Sequence, residues 1–146
     1  TLYFPVTREK PAGEPKPLPE KEYLGRGERI LVVDDVAEQR ELAVNMLEGL
    51  GYRVTAVSGG EEALACLKAE PADLLVLDMI MEPGIDGLET YRRVLEIRPG
   101  QKAILVSGFS ETARVRMARE LGAGAYVRKP YVQRKIGQAI RQELDR

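Results

Sequence analysis

A doubly wound α/β fold is what this sequence predicts, on three observations. Five short apolar runs, mostly rich in β-branched residues, punctuate the chain from Glu28 onward. Amphipathic stretches of helical period lie between them. The connections are short, and strands apolar on both faces belong to a parallel sheet covered on both sides.

The runs, read as strands, are Ile30 to Val33, Tyr52 to Val57, Leu74 to Leu77, Ala103 to Val106 and Ala125 to Val127. After the first, Leu42, Met46, Leu47 and Leu50 share one helical face. Helices are also predicted over Glu61 to Ala69 and over Leu88 to Ile97. A fourth is predicted from Val115, Ala118 and Leu121, and a fifth from Val132, Ile136, Ile140 and Leu144, which recur every four residues. Strand and helix thus alternate five times, and right-handed crossovers place five helices on the two faces of one sheet.

Residues 1–27 differ in kind. Five of the nine prolines fall in the first 19 residues (Pro5, Pro11, Pro15, Pro17 and Pro19), interleaved with Lys and Glu, which is the composition of an extended linker. The folding unit is therefore predicted to be 28–146.

Composition narrows the chemistry. The chain has 146 residues, a formal charge of -1 and no histidine, which excludes a Ser/His/Asp triad, a histidine metal site and a phosphohistidine of its own. The single Cys66 cannot form an intrachain disulfide and suits a small core residue in a reducing compartment. No apolar run approaches the roughly 20 residues that span a bilayer, and the chain opens on no secretion signal. Cytoplasmic location, or the cytosolic side of a membrane, is expected, with no membrane contact by this segment and no nucleic-acid partner. The near-zero balance hides two halves: Glu28 to Tyr91 holds 4 basic and 14 acidic residues, whereas Arg92 to Arg146 holds 13 and 5. An acidic partner or head-to-tail self-association, as in a homodimer, would exploit that division.

Ligands of open parallel sheets bind beyond the carboxyl ends of the strands. The residues standing there are Asp34 and Asp35 after the first run, Asp78 after the third, Ser107 after the fourth, and Lys129 with Pro130 after the fifth. A lone Asp at a strand end is ordinarily a cap or turn residue. The coincidence of all of them at one edge argues for a site. Three converging carboxylates repel one another unless a cation sits among them, and Mg²⁺ takes oxygen ligands of this kind. A lysine and a hydroxyl opposite the metal would complete a cradle for a phosphoryl group, so the chemistry suggested is phosphoryl transfer onto a carboxylate.

These residues resemble the receiver domains of two-component response regulators. The resemblance runs from about Glu28 to Arg146 and rests on Ile30-Leu-Val-Val-Asp34-Asp35, Asp73-Leu-Leu-Val-Leu-Asp78, Pro83-Gly-Ile-Asp86-Gly87, Ala103-Ile-Leu-Val-Ser107-Gly108 and Ala125-Tyr126-Val-Arg-Lys129-Pro130, in order and at receiver spacing. It implies a flavodoxin-like sheet of strand order 2-1-3-4-5. It also implies Asp78 as phosphoacceptor, with Asp35, Asp78 and the backbone carbonyl of Ile80 as direct Mg²⁺ ligands and Asp34 holding the metal mainly through water. Lys129 would pair with the phosphoryl oxygens, Ser107 would be the switch hydroxyl, and Tyr126 the aromatic whose rotamer follows phosphorylation. The Lys129-Pro130 bond is expected to be cis, as is common in the family.

One departure stands out: Glu82 separates Met81 from Pro83, so the loop after the phosphoacceptor is one residue longer than the usual pattern. Ile80 and Phe109, each two residues beyond a site residue, would flank the phosphoryl position and restrict water. Lacking histidine, the chain must draw its phosphoryl group from a histidine kinase or a histidine phosphotransfer domain. Thr1-Leu-Tyr-Phe-Pro-Val6 resembles the last strand of a histidine kinase ATP-binding domain, which makes the C-terminal receiver of a hybrid kinase the preferred setting. A free-standing regulator is the alternative. An aspartyl-phosphate phosphatase would usually carry a second Asp where Ile80 stands, and a mononucleotide-binding module would need a glycine-rich first turn, which Asp34-Asp35-Val36-Ala37 is not.

Overall fold

The computed structural model describes residues 24–81, 84–108 and 112–146. Strands β1 (Arg29–Val33), β2 (Arg53–Val57), β3 (Leu74–Asp78), β4 (Ala103–Ser107) and β5 (Tyr126–Arg128) alternate with helices α1 (Ala37–Gly49), α2 (Gly60–Ala69), α3 (Gly87–Ile97), α4 (Ala113–Glu120) and α5 (Gln133–Leu144). All strand pairs are parallel, and the sheet order is β2-β1-β3-β4-β5. This is the flavodoxin-like arrangement the sequence predicts.

Side chains alternate across a strand, so each central strand feeds two cores. Ile30 and Val32 of β1 face one way with Leu74, Val76, Ile104 and Val106, against Ala43 and Leu47 of α1 and Ile136 and Ile140 of α5. Leu31 and Val33 face the other way with Leu75, Leu77 and Leu105, against Leu67 of α2, Leu88 and Val94 of α3 and Val115 of α4. Every residue of β3 and β4 is buried, whereas edge strand β2 has none fully buried. The central strands are therefore held by apolar packing on both faces, at roughly 1.5–3 kcal/mol for each large side chain fully buried.

Three helical positions depart from the sequence prediction. Leu42 is 51% exposed, and Ala43 takes the inward place beside Leu47 and Leu50. The apolar face of α1 is thus rotated by about one residue, with Ala43 and Leu47 packed in the core beside Ile30 and Val32 of β1. Leu121 closes α4 as its C-cap and Val132 precedes α5 as its N-cap, and both lie on the solvent side of their helix ends. A period read from sequence continues into the caps; the packed face does not.

Capping fixes where the helices start. Asp86 accepts from the Glu89 N–H at 3.0 Å to open α3, and Thr112 accepts from the Val115 N–H at 3.3 Å to open α4. Gly87 lets α3 begin directly beneath the third strand: a Cβ there would stand 2.6 Å from the Asp78 carbonyl oxygen and from the Met79 Cα. Among the described residues no helix is long and apolar enough to cross a membrane.

Candidate functional site at the carboxyl edge of the sheet

The parallel register brings the ends of β1, β3, β4 and β5 to one edge, and with them residues far apart in the chain. Asp34 follows β1, Asp78 ends β3, Ser107 ends β4, and Lys129 follows β5. Asp34, Asp78 and Ser107 are buried, at 4%, 5% and 3% exposure, whereas Asp35 is half-buried. The apolar faces of the strands leave these polar ends no choice of direction, because a one-residue slip would turn the whole strand over.

Backbone N–H groups aim the carboxylates. Val36 N–H donates to Asp34 Oδ1 at 2.9 Å, and Ile80 N–H donates to Asp78 Oδ1 at 3.2 Å. Each acid is therefore steered by the amide two residues ahead. Lys129 crosses from the far side, with Nζ 2.6 Å from Asp34 Oδ2 and 3.5 Å from Asp78 Oδ2. Its own backbone N–H is tied to the Ser107 carbonyl at 2.7 Å, and the Lys129-Pro130 peptide bond is cis.

Asp34, Asp35 and Asp78 each offer an oxygen, all within 4.8 Å of one another. Burial pushes the Asp78 carboxyl up to about 6; Lys129 and the Ile80 N–H oppose that rise, while the charges of Asp34 and Asp35 add to it. One ammonium group serves two of three crowded acids. An all-oxygen set with surplus negative charge fits a hard divalent cation such as Mg²⁺ and offers nothing to a soft metal, since no thiolate or imidazole is present.

The remaining predicted residues are placed as follows. The Ile80 side chain is 47% exposed beside the acidic cluster. Tyr126 is half-buried against the core on the α2, α3 and α4 side, and its buried hydroxyl has no hydrogen-bond partner among the described residues. An orphaned buried hydroxyl costs about 1–3 kcal/mol, which leaves the ring a reason to move. Phe109, the inserted Glu82 and the segment 1–6 lie outside the described residues, as does nearly all of the proline-rich stretch.

Two neighbours were not legible as site residues. Arg40 of α1 donates from Nη1 to the Asp34 carbonyl at 2.9 Å, holding the turn after β1 against the helix. Tyr131, near Asp34 and Asp78, has its phenol pushed up to about 12, first by burial and then by those two charges. Arg40 sits among ordinary surface charges in the sequence, and Tyr131 directly follows the Lys-Pro pair. That adjacency was the only signal available.

The comparisons with known proteins agree with this geometry. The family described as the response regulator receiver domain matches residues 30–141. The DNA-binding response regulator MtrA of Mycolicibacterium paratuberculosis is 31% identical over 119 residues, covering 82% of this chain and 52% of that protein. The response regulator receiver protein CpdR of Brucella abortus is 40% identical over 85 residues, covering 58% of this chain and 70% of that protein. The chain thus spans about half the length of the MtrA proteins it matches. Among solved structures, a CheY-like receiver domain protein from Methanospirillum hungatei JF-1 superposes with a TM-score of 0.76 at 31% identity, covering 82% of this chain and 94% of that one.

Proposed function

The chain belongs to the response regulator receiver family, and from that premise we propose that it accepts a phosphoryl group on Asp78 and changes conformation in response. The observation that carries this reading is the convergence of Asp34, Asp35 and Asp78 with Lys129 at the carboxyl edge of the sheet. A receiver implies a histidine kinase, directly or through a histidine phosphotransfer domain, as phosphodonor.

In the reaction an Asp78 carboxylate oxygen attacks phosphorus, the phosphorus–nitrogen bond of phosphohistidine breaks, and the imidazole leaves with a proton from solvent. Little covalent assistance is needed; positioning and charge neutralisation lower the barrier. Mg²⁺, held by Asp35, Asp78 and the Ile80 carbonyl with Asp34 acting through water, would supply neutralisation of the phosphoryl oxygens. Lys129 exchanges its present carboxylate partners for those oxygens. The Ile80 N–H already bonded to Asp78 Oδ1 orients the carboxylate, leaving the other oxygen toward the pocket. Ser107 then hydrogen-bonds the new phosphoryl group, and Tyr126, whose hydroxyl loses nothing by leaving its present site, follows it inward. The exposed Ile80 side chain beside the cluster shields the acyl phosphate from water.

The test is incubation with Mg²⁺ and acetyl phosphate followed by intact mass. A single hydroxylamine-labile phosphoryl adduct is expected, absent from Asp78→Asn and strongly slowed in Lys129→Ala. An adduct that survives Asp78→Asn, or none in the wild type, overturns the assignment. A second reading concerns the parent protein: the proline-rich stretch before the domain supports a module of a hybrid histidine kinase on the cytoplasmic side. A kinase domain encoded upstream in the same reading frame is the expected finding, and a start codon directly before Thr1 overturns it.

A further inference from the structure

At the opposite edge of the sheet, the chain entering the domain is gripped by the last helix. Gly25 N–H donates to the Leu50 carbonyl at 2.6 Å, Gly27 N–H to the Gly51 carbonyl at 3.0 Å, and Arg53 N–H to the Glu28 carbonyl at 2.9 Å. Arg53 Nε also reaches the Gly27 carbonyl at 2.9 Å. Gly25 lies so close to the ring of Tyr52 that a Cβ would stand 2.6 Å from it. Residues 24–28 are therefore seated on the turn between α1 and β2.

Arg141 of α5 closes over this seat. It is only 7% exposed, and its Nη1 donates to the Leu24 carbonyl at 3.2 Å while Nη2 donates to Glu28 Oε2 at 2.9 Å and to Asp145 Oδ1 at 2.9 Å. The guanidinium thus spans the incoming strap, the first strand's approach and the end of its own helix. A planar fork is needed to reach all three; an ammonium would reach fewer. The other end of α5 is four residues from Lys129, so one 12-residue helix runs from the acidic pocket to the strap.

We propose that residues 24–28 form a docked strap and that Arg141 is its latch, coupling the chain that precedes the domain to α5. Docking of the strap and seating of α5 are then one equilibrium, and either perturbation disturbs both. The occupant of this surface is the chain's own N-terminal segment, and the claim stands independently of phosphoryl transfer at Asp78.

Limited trypsin digestion of the full chain tests the latch, because cleavage after the exposed Arg26 requires the strap to lift. Arg141→Met is expected to raise that rate by about tenfold or more, whereas Leu105→Val in the core, remote from the strap, speeds cleavage after Arg53 in β2, which reports global opening, and leaves Arg26 cleavage unchanged. Arg141→Lys should fall between wild type and Arg141→Met. In the reciprocal experiment, Gly25→Ala, which drives a methyl into Tyr52, is expected to speed hydrogen exchange across Ile140 to Leu144 while β3 amides keep their protection. Equal Arg26 cleavage in wild type and Arg141→Met overturns the latch. A lifted strap in Gly25→Ala with unchanged exchange in α5 overturns the coupling.

Discussion

The two edges of the sheet handle charge in opposite ways. At the amino edge the acids meet donors in place: Arg141 pairs with Glu28 and Asp145, Arg29 pairs with Glu70, and the Arg29 backbone N–H donates to Asp73. Buried Gln101 satisfies two carbonyls, of Ala72 and Lys102, and Tyr91 donates to the Gln101 carbonyl. At the carboxyl edge three acids crowd together, and Lys129 reaches Asp34 and Asp78. The first arrangement holds the fold; the second stores unfavourable negative charge of the kind a cation relieves. Both edges come from the same five strands, so the difference lies entirely in which residues stand at the strand ends.

That contrast can be broken most severely at Gly87. Gly87→Ala forces a methyl onto the backbone of Asp78 and Met79 and is expected to abolish phosphoryl uptake, measured by adduct formation, with a marked fall in Tm. Next, Arg141→Met at the matched edge is expected to cost about 1–3 kcal/mol in urea unfolding, because it removes the guanidinium's hydrogen bonds to the Leu24 carbonyl and to the Glu28 and Asp145 carboxylates. Asp78→Asn should do the reverse. Removing the most frustrated acid is expected to stabilise the metal-free protein at pH 8 by up to about 3 kcal/mol, since about two pKa units of upward shift correspond to that much. A loss of stability on this substitution would show that the carboxyl edge is not frustrated.

The pH dependence carries opposite signs at the two edges. The Asp78 carboxyl keeps its proton to about 6 in the folded chain, whereas the unfolded chain releases it near 4. Its ionisation therefore lowers stability as pH rises through that window, and acid relieves the cost. Burial raises the Glu28 carboxyl, but the Arg26 N–H and the Arg141 guanidinium outweigh burial and hold it below its ordinary value. Its contribution is present above the unfolded pKa and is lost as pH falls through the folded one. Denaturation curves of Asp78→Asn and Glu28→Gln between pH 4 and 8 should diverge accordingly. On the proposed reading protons would compete with Mg²⁺ for Asp78, so calorimetric Mg²⁺ affinity is expected to weaken as pH drops below about 6. The smallest expected effect is Asp86→Ala, about 1 kcal/mol for the lost cap of α3, together with the 2.6 Å pair to Arg114 on α4.

Much of this was legible before any coordinates. The β-branched runs of β1, β3 and β4, with acids and a serine at their ends, fixed both the sheet and the edge at which chemistry would gather, because strand period and parallel topology leave little freedom. The acidic and basic halves of the chain were also visible, and Lys129 meets Asp34 across 95 residues of sequence. Helix faces were read less well. Leu42, Leu121 and Val132 continue the apolar period yet face solvent, since packing against a particular neighbour decides which side of a helix is inside.

What the sequence determined by itself was the fold class, the strand order through family resemblance, and the set of residues at the carboxyl edge. What only the tertiary structure decided was how charges pair: that Lys129 leans on Asp34 more closely than on Asp78, that Arg40 braces the first turn, and that Arg141 reaches back 113 residues to Glu28. Apolar periodicity is local and survives in a string of letters. A guanidinium's choice of partner depends on distances of a few ångströms between elements that the string does not place side by side.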